Sequence, residues 1–171
     1  MAEFMEQFER TKRSLKKIEN QDRDSTDYDD DLWHFFQDCY HLKDWIKNDL
    51  SVPEVIKGTK GKKVENYINK NKELQICADL ANRSKHLELT DSRNNINAEV
   101  TNRNVTIQVP TLHVTLSHDR KNIINSYSDS PGKTTQELII TLSDGTKYNA
   151  LNVARKAVEL WGKYLSDNGL L

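Results

Sequence analysis

The chain has 171 residues, of which 36% are hydrophobic and 30% are charged, and its formal net charge is −1. This length fits one domain with a buried core, and the low apolar fraction predicts a small core under a heavily charged surface. The balanced charge excludes proteins whose whole surface attracts nucleic acid or anionic membranes.

The compartment is indicated by two features of the sequence. No stretch approaches the ~18 consecutive apolar residues of a membrane-spanning helix, so we expect no membrane partner. The two cysteines, Cys39 and Cys77, lie on apolar helical faces without the spacing of a disulfide framework or a zinc site. We therefore expect free, buried thiols and a cytoplasmic protein.

Two amphipathic helices are predicted at the start of the chain. Residues 1–20, MAEFMEQFERTKRSLKKIEN, place apolar side chains near helical spacing. Residues 32–50, LWHFFQDCYHLKDWIKNDL, form the second helix, with an apolar stripe of Leu32, Phe35, Phe36, Cys39, Leu42 and Ile46. Between them, the acidic stretch QDRDSTDYDDD (21–31) is predicted to be a hinge whose last aspartates cap the second helix.

Shorter segments follow the second helix, which ends before Pro53. The stretch IKGTKGKK (56–63) is predicted to be a flexible basic loop. VENYINKNK (64–72) forms a short helix. ICADLANRSKHLEL (76–89) forms a helix that is apolar around much of its circumference and stops near residues 90–95.

The apolar pattern then changes from helical to alternating. β-branched residues alternate over 97–109, 111–118 and 136–142, which predicts antiparallel strands. NSYSDSPGKTT (125–135) is predicted to be a loop between two strands. Asp144-Gly145 is predicted to be the turn of a hairpin. A last helix starts at residue 150, with an apolar face of Leu151, Ala154, Val158, Trp161 and Leu165.

We therefore predict an α+β fold that is mainly α, in which a small antiparallel β-sheet or hairpin elaborates a helical bundle core before the C-terminal helix. A single domain covers residues 1–171. Its helical core spans residues 1–92 and its β elaboration spans residues 96–149. The C-terminal helix, residues 150–168, packs back on the core.

Polar residues on two helices are the candidate site. Those on the helix over 76–89 lie along one strip: Asp79, Asn82, Arg83 and His86. A matching strip lies beside the apolar stripe of the long second helix and contains His34, Asp38, His41 and Trp45. If the two helices pack antiparallel, the strips form a partly buried polar cleft. Because an unpartnered buried charge is costly, these groups must bind one another or a ligand.

The strip over residues 79–86 has two interpretations. In a structural one, Asp79 and Arg83 form an i,i+4 ion pair. In a functional one, His86 transfers protons near neutral pH and Arg83 stabilises negative charge on a phosphate. Asp79 or Asn82 then orients one of these two side chains.

Two further clusters have weaker signatures. The i, i+4, i+7 spacing of His34, Asp38 and His41 permits a metal site, but no metal-binding motif accompanies it, and we predict no metal and no cofactor. The basic loop contains Lys60, Lys62 and Lys63, which are candidates for contacts with phosphates and equally for a solvated surface.

FFQDCYHLKDWIKND (35–49), ICADLANRSKHLEL (76–89) and ALNVARKAVELWGKYL (150–165) together resemble the HEPN superfamily of small bacterial and phage-associated helical proteins. Members of this family are usually dimeric. Many are metal-independent endoribonucleases of toxin–antitoxin, abortive-infection and CRISPR-linked systems, and others are binding or scaffold modules without activity. The resemblance covers roughly residues 30–90 and the closing helix, and it leaves out the β region.

The family's catalytic motif is an arginine followed by a histidine, and the matching pair in this chain is Arg83 and His86. The two are separated by Ser84 and Lys85, a shorter spacing than the family's four to six residues. The resemblance implies a homodimer that binds RNA and cleaves it, with Arg83 on the phosphate and His86 as base or acid. The alternatives are a non-catalytic helical module for a nucleotide or protein partner, and a structural cleft with the function carried by the β region.

Overall fold

The computed structural model of the chain describes residues 2–21, 26–83, 96–108, 112–116, 123–128 and 133–171. Its helices are α1 (Glu3–Asn20), α2 (Thr26–Asn48), α3 (Glu54–Lys57), α4 (Lys62–Lys70), α5 (Lys72–Arg83) and α6 (Ala150–Asp167). A 3₁₀ turn at Thr59–Gly61 joins α3 to α4. The strands are β1 (Glu99–Gln108), β2 (Leu112–Leu116), β3 (Ile123–Ser128), β4 (Lys133–Thr141) and β5 (Lys147–Asn149). The arrangement confirms the predicted α+β, mainly α fold.

Helix α2 lies at the centre of the helical core and contacts α1, α4, α5 and α6. The predicted apolar stripe of α2 is completely buried: Leu32, Phe35, Phe36, Cys39, Leu42 and Ile46. Helix α6 packs on it from the far end of the chain, and the indole Nε1–H of Trp161 donates a hydrogen bond of 3.1 Å to the carbonyl oxygen of Cys39. The C-terminal helix therefore returns to the helical core.

The described strands lie between α5 and α6 in the chain and form two antiparallel sheets. Strand β4 pairs with β1 on one side and β5 on the other, in the order β1-β4-β5, and β2 pairs with β3 in a separate two-stranded sheet. In chain order the β2–β3 ladder is nested inside the β1–β4 ladder. The buried side chains of Leu138 and Ile140 attach the three-stranded sheet to the core, since β4 also contacts α6.

The hairpin predicted at Asp144-Gly145 is confirmed. It joins β4 to β5, the backbone N–H of Leu142 donates to the carbonyl oxygen of Thr146 at 2.9 Å, and Gly145 has a φ of 83°. Only glycine takes that left-handed conformation without steric cost. Local turn chemistry was therefore sufficient to locate this connection.

Three predicted loops contain regular structure instead. The acidic stretch 21–31 is helical from Thr26 onward, because Asp27 and Asp29 lie in the first turn of α2 and favour the positive end of its dipole. The basic stretch 56–63 contains the end of α3, the 3₁₀ turn and the start of α4, and the helical turns are interrupted at Gly58, Lys60 and Gly61, which have positive φ.

The predicted loop 125–135 includes the end of β3 and the start of β4. Although its composition is polar, both strands are paired with a neighbour. β3 pairs with β2, with His113 opposite Tyr127, and β4 pairs with β1, with Gln108 opposite Lys133. Helix α5 begins earlier than predicted, at Lys72, and residues 84–89 of the predicted helix lie outside the described residues. No described helix is long and apolar enough to cross a membrane.

Candidate functional site

Arg83 is the last residue of α5, and its side chain is 23% exposed. Its Nη2 atom lies 3.8 Å from Oε2 of Glu99, which is the first residue of β1. Its Nε atom is buried and has no hydrogen-bond partner in the part of the chain that the structure describes. A guanidinium carries five N–H donors and no acceptor, so this one retains capacity to bind an anion.

Asp79 lies one turn before Arg83 on α5 and has no exposed surface. Its Oδ2 accepts a hydrogen bond of 3.1 Å from the backbone N–H of Ala98, which is also completely buried. This bond ties α5 to the residue that precedes β1, and thereby brings Glu99 beside Arg83. Asp79 supports the site without reaching solvent.

In the structural interpretation, Asp79 and Arg83 form an ion pair with each other. In the structure the two side chains contact other groups. Asp79 accepts a hydrogen bond from the backbone N–H of Ala98, whereas the guanidinium of Arg83 lies near the carboxylate of Glu99. Sequence reasoning missed Glu99 because a single acid at the start of a strand has no spacing relation to a helix of the preceding region. Only the pairing of the segment before β1 with α5 brings the two together.

Asn82 is partly buried beside Arg83 at the end of α5. His86 lies outside the described residues. The pairing of Arg83 with His86 is therefore a prediction from the sequence, and the geometry of the site begins with Arg83, Glu99 and Asp79.

Asp38, in the polar strip of α2, contacts α1 and not α5, the helix that was predicted. Asp38 accepts hydrogen bonds from α1, from Gln7 Nε2 to its carbonyl oxygen at 2.9 Å and from Ser14 Oγ to Oδ2 at 3.3 Å. His34 is exposed and His41 is partly buried against the ring of Tyr40, with 6.3 Å between the ring centroids. Asp38 therefore joins α2 to α1 and does not contribute to the cleft predicted between α2 and α5.

Trp45, at the end of the same strip, lines a surface cavity of about 180 Å³ together with Glu3, Asp44 and Asn48. The cavity lies where the start of α1 meets the end of α2. Within the described ranges, no three His, Cys, Asp or Glu side chains are placed to hold a metal ion.

Three of the four lysines of the basic stretch are exposed and accessible to a ligand: Lys60, Lys62 and Lys63. Lys63 Nζ donates to the carbonyl oxygen of Val55 at 2.7 Å, Lys62 begins α4, and Lys60 has a φ of 55°. Lys57 behaves differently, since it is buried with its Nζ 3.6 Å from Oε1 of Glu54.

Cys39 and Cys77 are buried free thiols on the facing helices α2 and α5. Burial raises the pKa of Cys77 well above its usual value, and the neighbouring Cys39 thiol raises it further. Because the thiolate is the reactive form, the pair is chemically protected and belongs to the core.

Comparisons with family models, curated proteins and solved structures gave no match to this chain. A functional proposal therefore depends on the chemistry of the residues themselves and on the resemblance described above.

Proposed function

We propose that the chain is an HEPN-like cytoplasmic protein of a phage-defence or toxin–antitoxin context that binds RNA and cleaves it without a metal. The proposal rests on one observation: the guanidinium of Arg83 has hydrogen-bond donors that no described acceptor satisfies. Its Nε has no hydrogen-bond partner among the described residues, and its Nη2 is 3.8 Å from the nearest carboxylate. A phosphate oxygen that approaches Nη2 can form the short charge-assisted hydrogen bond that the carboxylate does not form.

The chemistry follows from the groups that the site would supply. The 2′-hydroxyl of the RNA attacks the adjacent phosphorus while His86 exchanges a proton with the attacking or leaving oxygen. Arg83 stabilises the charge that accumulates on the pentavalent phosphate. The bond from phosphorus to the 5′-oxygen breaks, leaving a 2′,3′-cyclic phosphate and a 5′-hydroxyl.

Other residues have supporting roles in this proposal. The exposed Lys60, Lys62 and Lys63 neutralise backbone phosphates along the strand. Asp79, which is completely buried, positions the chain around Arg83, and Asn82 orients the arginine from the preceding position. A homodimer would place two Arg83–His86 pairs on one RNA, as the resemblance implies.

The test of cleavage uses wild type and His86→Ala with mixed-sequence RNA in the presence of a chelator. We expect wild type to produce cyclic-phosphate ends and the variant to produce none. His113→Ala is the control, since it removes a histidine that the proposal does not use. RNA that stays intact with pure wild-type protein would remove the catalytic half of the proposal.

The test of binding uses Arg83→Ala and a matched control, Arg155→Ala. Both variants lose one exposed or partly exposed arginine in an ion pair with a glutamate. Only Arg83→Ala is expected to weaken RNA binding, by about ten- to a hundredfold, because hydrogen bonds to charged groups contribute about 1.5–3 kcal/mol. Equal affinities of the two variants would contradict a role for Arg83.

The alternative is a non-catalytic helical module that holds a nucleotide or a protein partner at Arg83. It is favoured by the short spacing between Arg83 and His86. It predicts that binding depends on Arg83 while RNA remains intact, so the same two experiments separate it from the enzyme.

A further inference from the structure

We propose that Glu99 is an internal competitor for Arg83, so that an RNA phosphate must displace the Glu99 carboxylate to bind and Glu99 sets the affinity of the site. The inference rests on the proposed RNA-binding function, and it adds a residue that the sequence did not indicate.

The contact between the two side chains is close enough for attraction but too long for a hydrogen bond. Nη2 of Arg83 and Oε2 of Glu99 are 3.8 Å apart, whereas charge-assisted hydrogen bonds are about 2.7–2.9 Å long. Glu99 therefore neutralises Arg83 without saturating its donors. A phosphate that replaces the carboxylate can form a shorter hydrogen bond with the same Nη2 group.

The exposure of the two side chains makes the displacement one-sided. Glu99 is 57% exposed and Arg83 is 23% exposed. The carboxylate can rotate into water at little cost, because an exposed ion pair contributes little free energy. The guanidinium is largely enclosed and stays in place. The site can therefore exchange one anion for another while Arg83 remains oriented.

The position of Glu99 is fixed by a hydrogen bond to the residue immediately before it. The backbone N–H of Ala98 is held by Asp79 Oδ2 at 3.1 Å, and both residues are completely buried. Glu99 follows as the first residue of β1, opposite Thr141 of β4. Asp79 and the β1–β4 pairing thus hold the Glu99 carboxylate at the end of α5. Asp79 is therefore a positioning residue.

The experiment measures the affinity of a fluorescein-labelled, mixed-sequence single-stranded RNA by fluorescence anisotropy. The RNA carries 2′-O-methyl groups so that cleavage does not interfere. The proteins are wild type, Glu99→Gln, Arg83→Ala and the double variant. Glu137→Gln is the matched control, since it removes the same charge from an exposed position on the same sheet, opposite Asn104.

We expect Glu99→Gln to tighten binding by about two- to fivefold, the factor that corresponds to an exposed ion pair. The gain should vanish when Arg83 is also replaced, because the competition acts through that guanidinium. Glu137→Gln should leave the affinity close to that of wild type. A thermal melt of each variant checks that the fold is retained, and Glu99→Ala repeats the test without an amide that could still contact Arg83.

Three results would overturn the inference. If Glu99→Gln and Glu137→Gln tighten binding equally, or if the gain persists without Arg83, the effect is one of general charge. If Arg83→Ala weakens binding while Glu99→Gln changes nothing, Glu99 does not compete and the RNA-binding function stands. If wild type binds no RNA or Arg83→Ala binds as well as wild type, the proposed function fails and the inference fails with it.

Discussion

The carboxylate of Asp49 caps α1 through Phe4, which lies 45 positions earlier in the chain. Its Oδ2 accepts a hydrogen bond of 3.1 Å from the backbone N–H of Phe4 in the first turn of α1, whose own N-cap residue, Ala2, offers no side-chain acceptor. Its Oδ1 accepts from the N–H and the hydroxyl of Ser51 at 2.8 and 2.7 Å. One carboxylate thus joins the start of α1 to the segment after α2.

Replacing Asp49 with Asn is expected to lower the free energy of unfolding at neutral pH by about 1–2 kcal/mol, because both carboxylate oxygens accept hydrogen bonds and an amide keeps only one accepting oxygen. Burial by itself raises the pKa of Asp49, but the hydrogen bonds from the Ser51 hydroxyl, the Phe4 N–H and the Ser51 N–H lower it below its usual value. The stabilisation is therefore complete above the unfolded-state pKa of about 3.9 and is lost as the pH falls through the folded-state pKa.

Urea denaturation of wild type and Asp49→Asn at neutral and acidic pH measures this effect. The difference in stability between the two proteins should shrink as the pH falls. Asp30→Asn, at an exposed position of α2, removes the same charge and serves as the control. A stability difference that is independent of pH would show that the carboxylate charge at Asp49 is irrelevant.

Gly61 and Gly145 form a matched pair for a substitution by alanine. Both have positive φ, 72° and 83°, so each variant should lose about 1–2 kcal/mol from backbone strain. At Gly61 the new Cβ would also lie 2.6 Å from Cε of Lys47, whereas at Gly145 nothing lies within 4 Å. Gly61→Ala should therefore be the more destabilised protein in thermal or urea unfolding, because Lys47 must move away from Glu65. Equal losses of unfolding free energy at the two positions would mean that the Lys47 side chain moves aside without an energetic cost.

Cys77 should resist thiol reagents in the folded protein. Because burial and the Cys39 thiol raise its pKa well above the usual value, the thiolate is scarce at pH 8. Iodoacetamide labelling followed by mass spectrometry should modify neither cysteine in native protein and both in denatured protein. Cys39→Ser tests the neighbour's contribution, and rapid labelling of native Cys77 in wild type would refute the assignment of a protected pair.

Asp79 should behave as a structural acceptor. Asp79→Ala removes the partner of the buried Ala98 N–H and is expected to cost about 1–3 kcal/mol of unfolding free energy. Asp79→Asn keeps an oxygen that can accept the bond and should lose less. Chemical denaturation measures both variants, and an alanine variant as stable as wild type would show that the bond to Ala98 does not hold β1 against α5.

Much of the fold could be predicted because its signals are local. The apolar stripe from Leu32 to Ile46 identified α2, the spacing of Leu151, Ala154 and Trp161 identified α6, and Asp144-Gly145 identified the β4–β5 turn. Composition was misleading where polar or charged residues lie inside regular elements. The start of α2 at Thr26 and the start of β4 at Lys133 are the examples, since dipole interactions and strand pairing outweigh composition there.

The candidate site was predicted only in part. The sequence alone placed Asp79, Asn82 and Arg83 on one strip of α5, because a helix repeats every 3.6 residues, and it predicted buried free thiols from the apolar faces that carry them. It did not determine that Asp38 bonds to α1, that Asp49 caps α1, that Cys39 adjoins Cys77 or that Glu99 lies beside Arg83. Those relationships join segments distant in the chain, and they depend on how whole helices and strands pack, which no local pattern encodes.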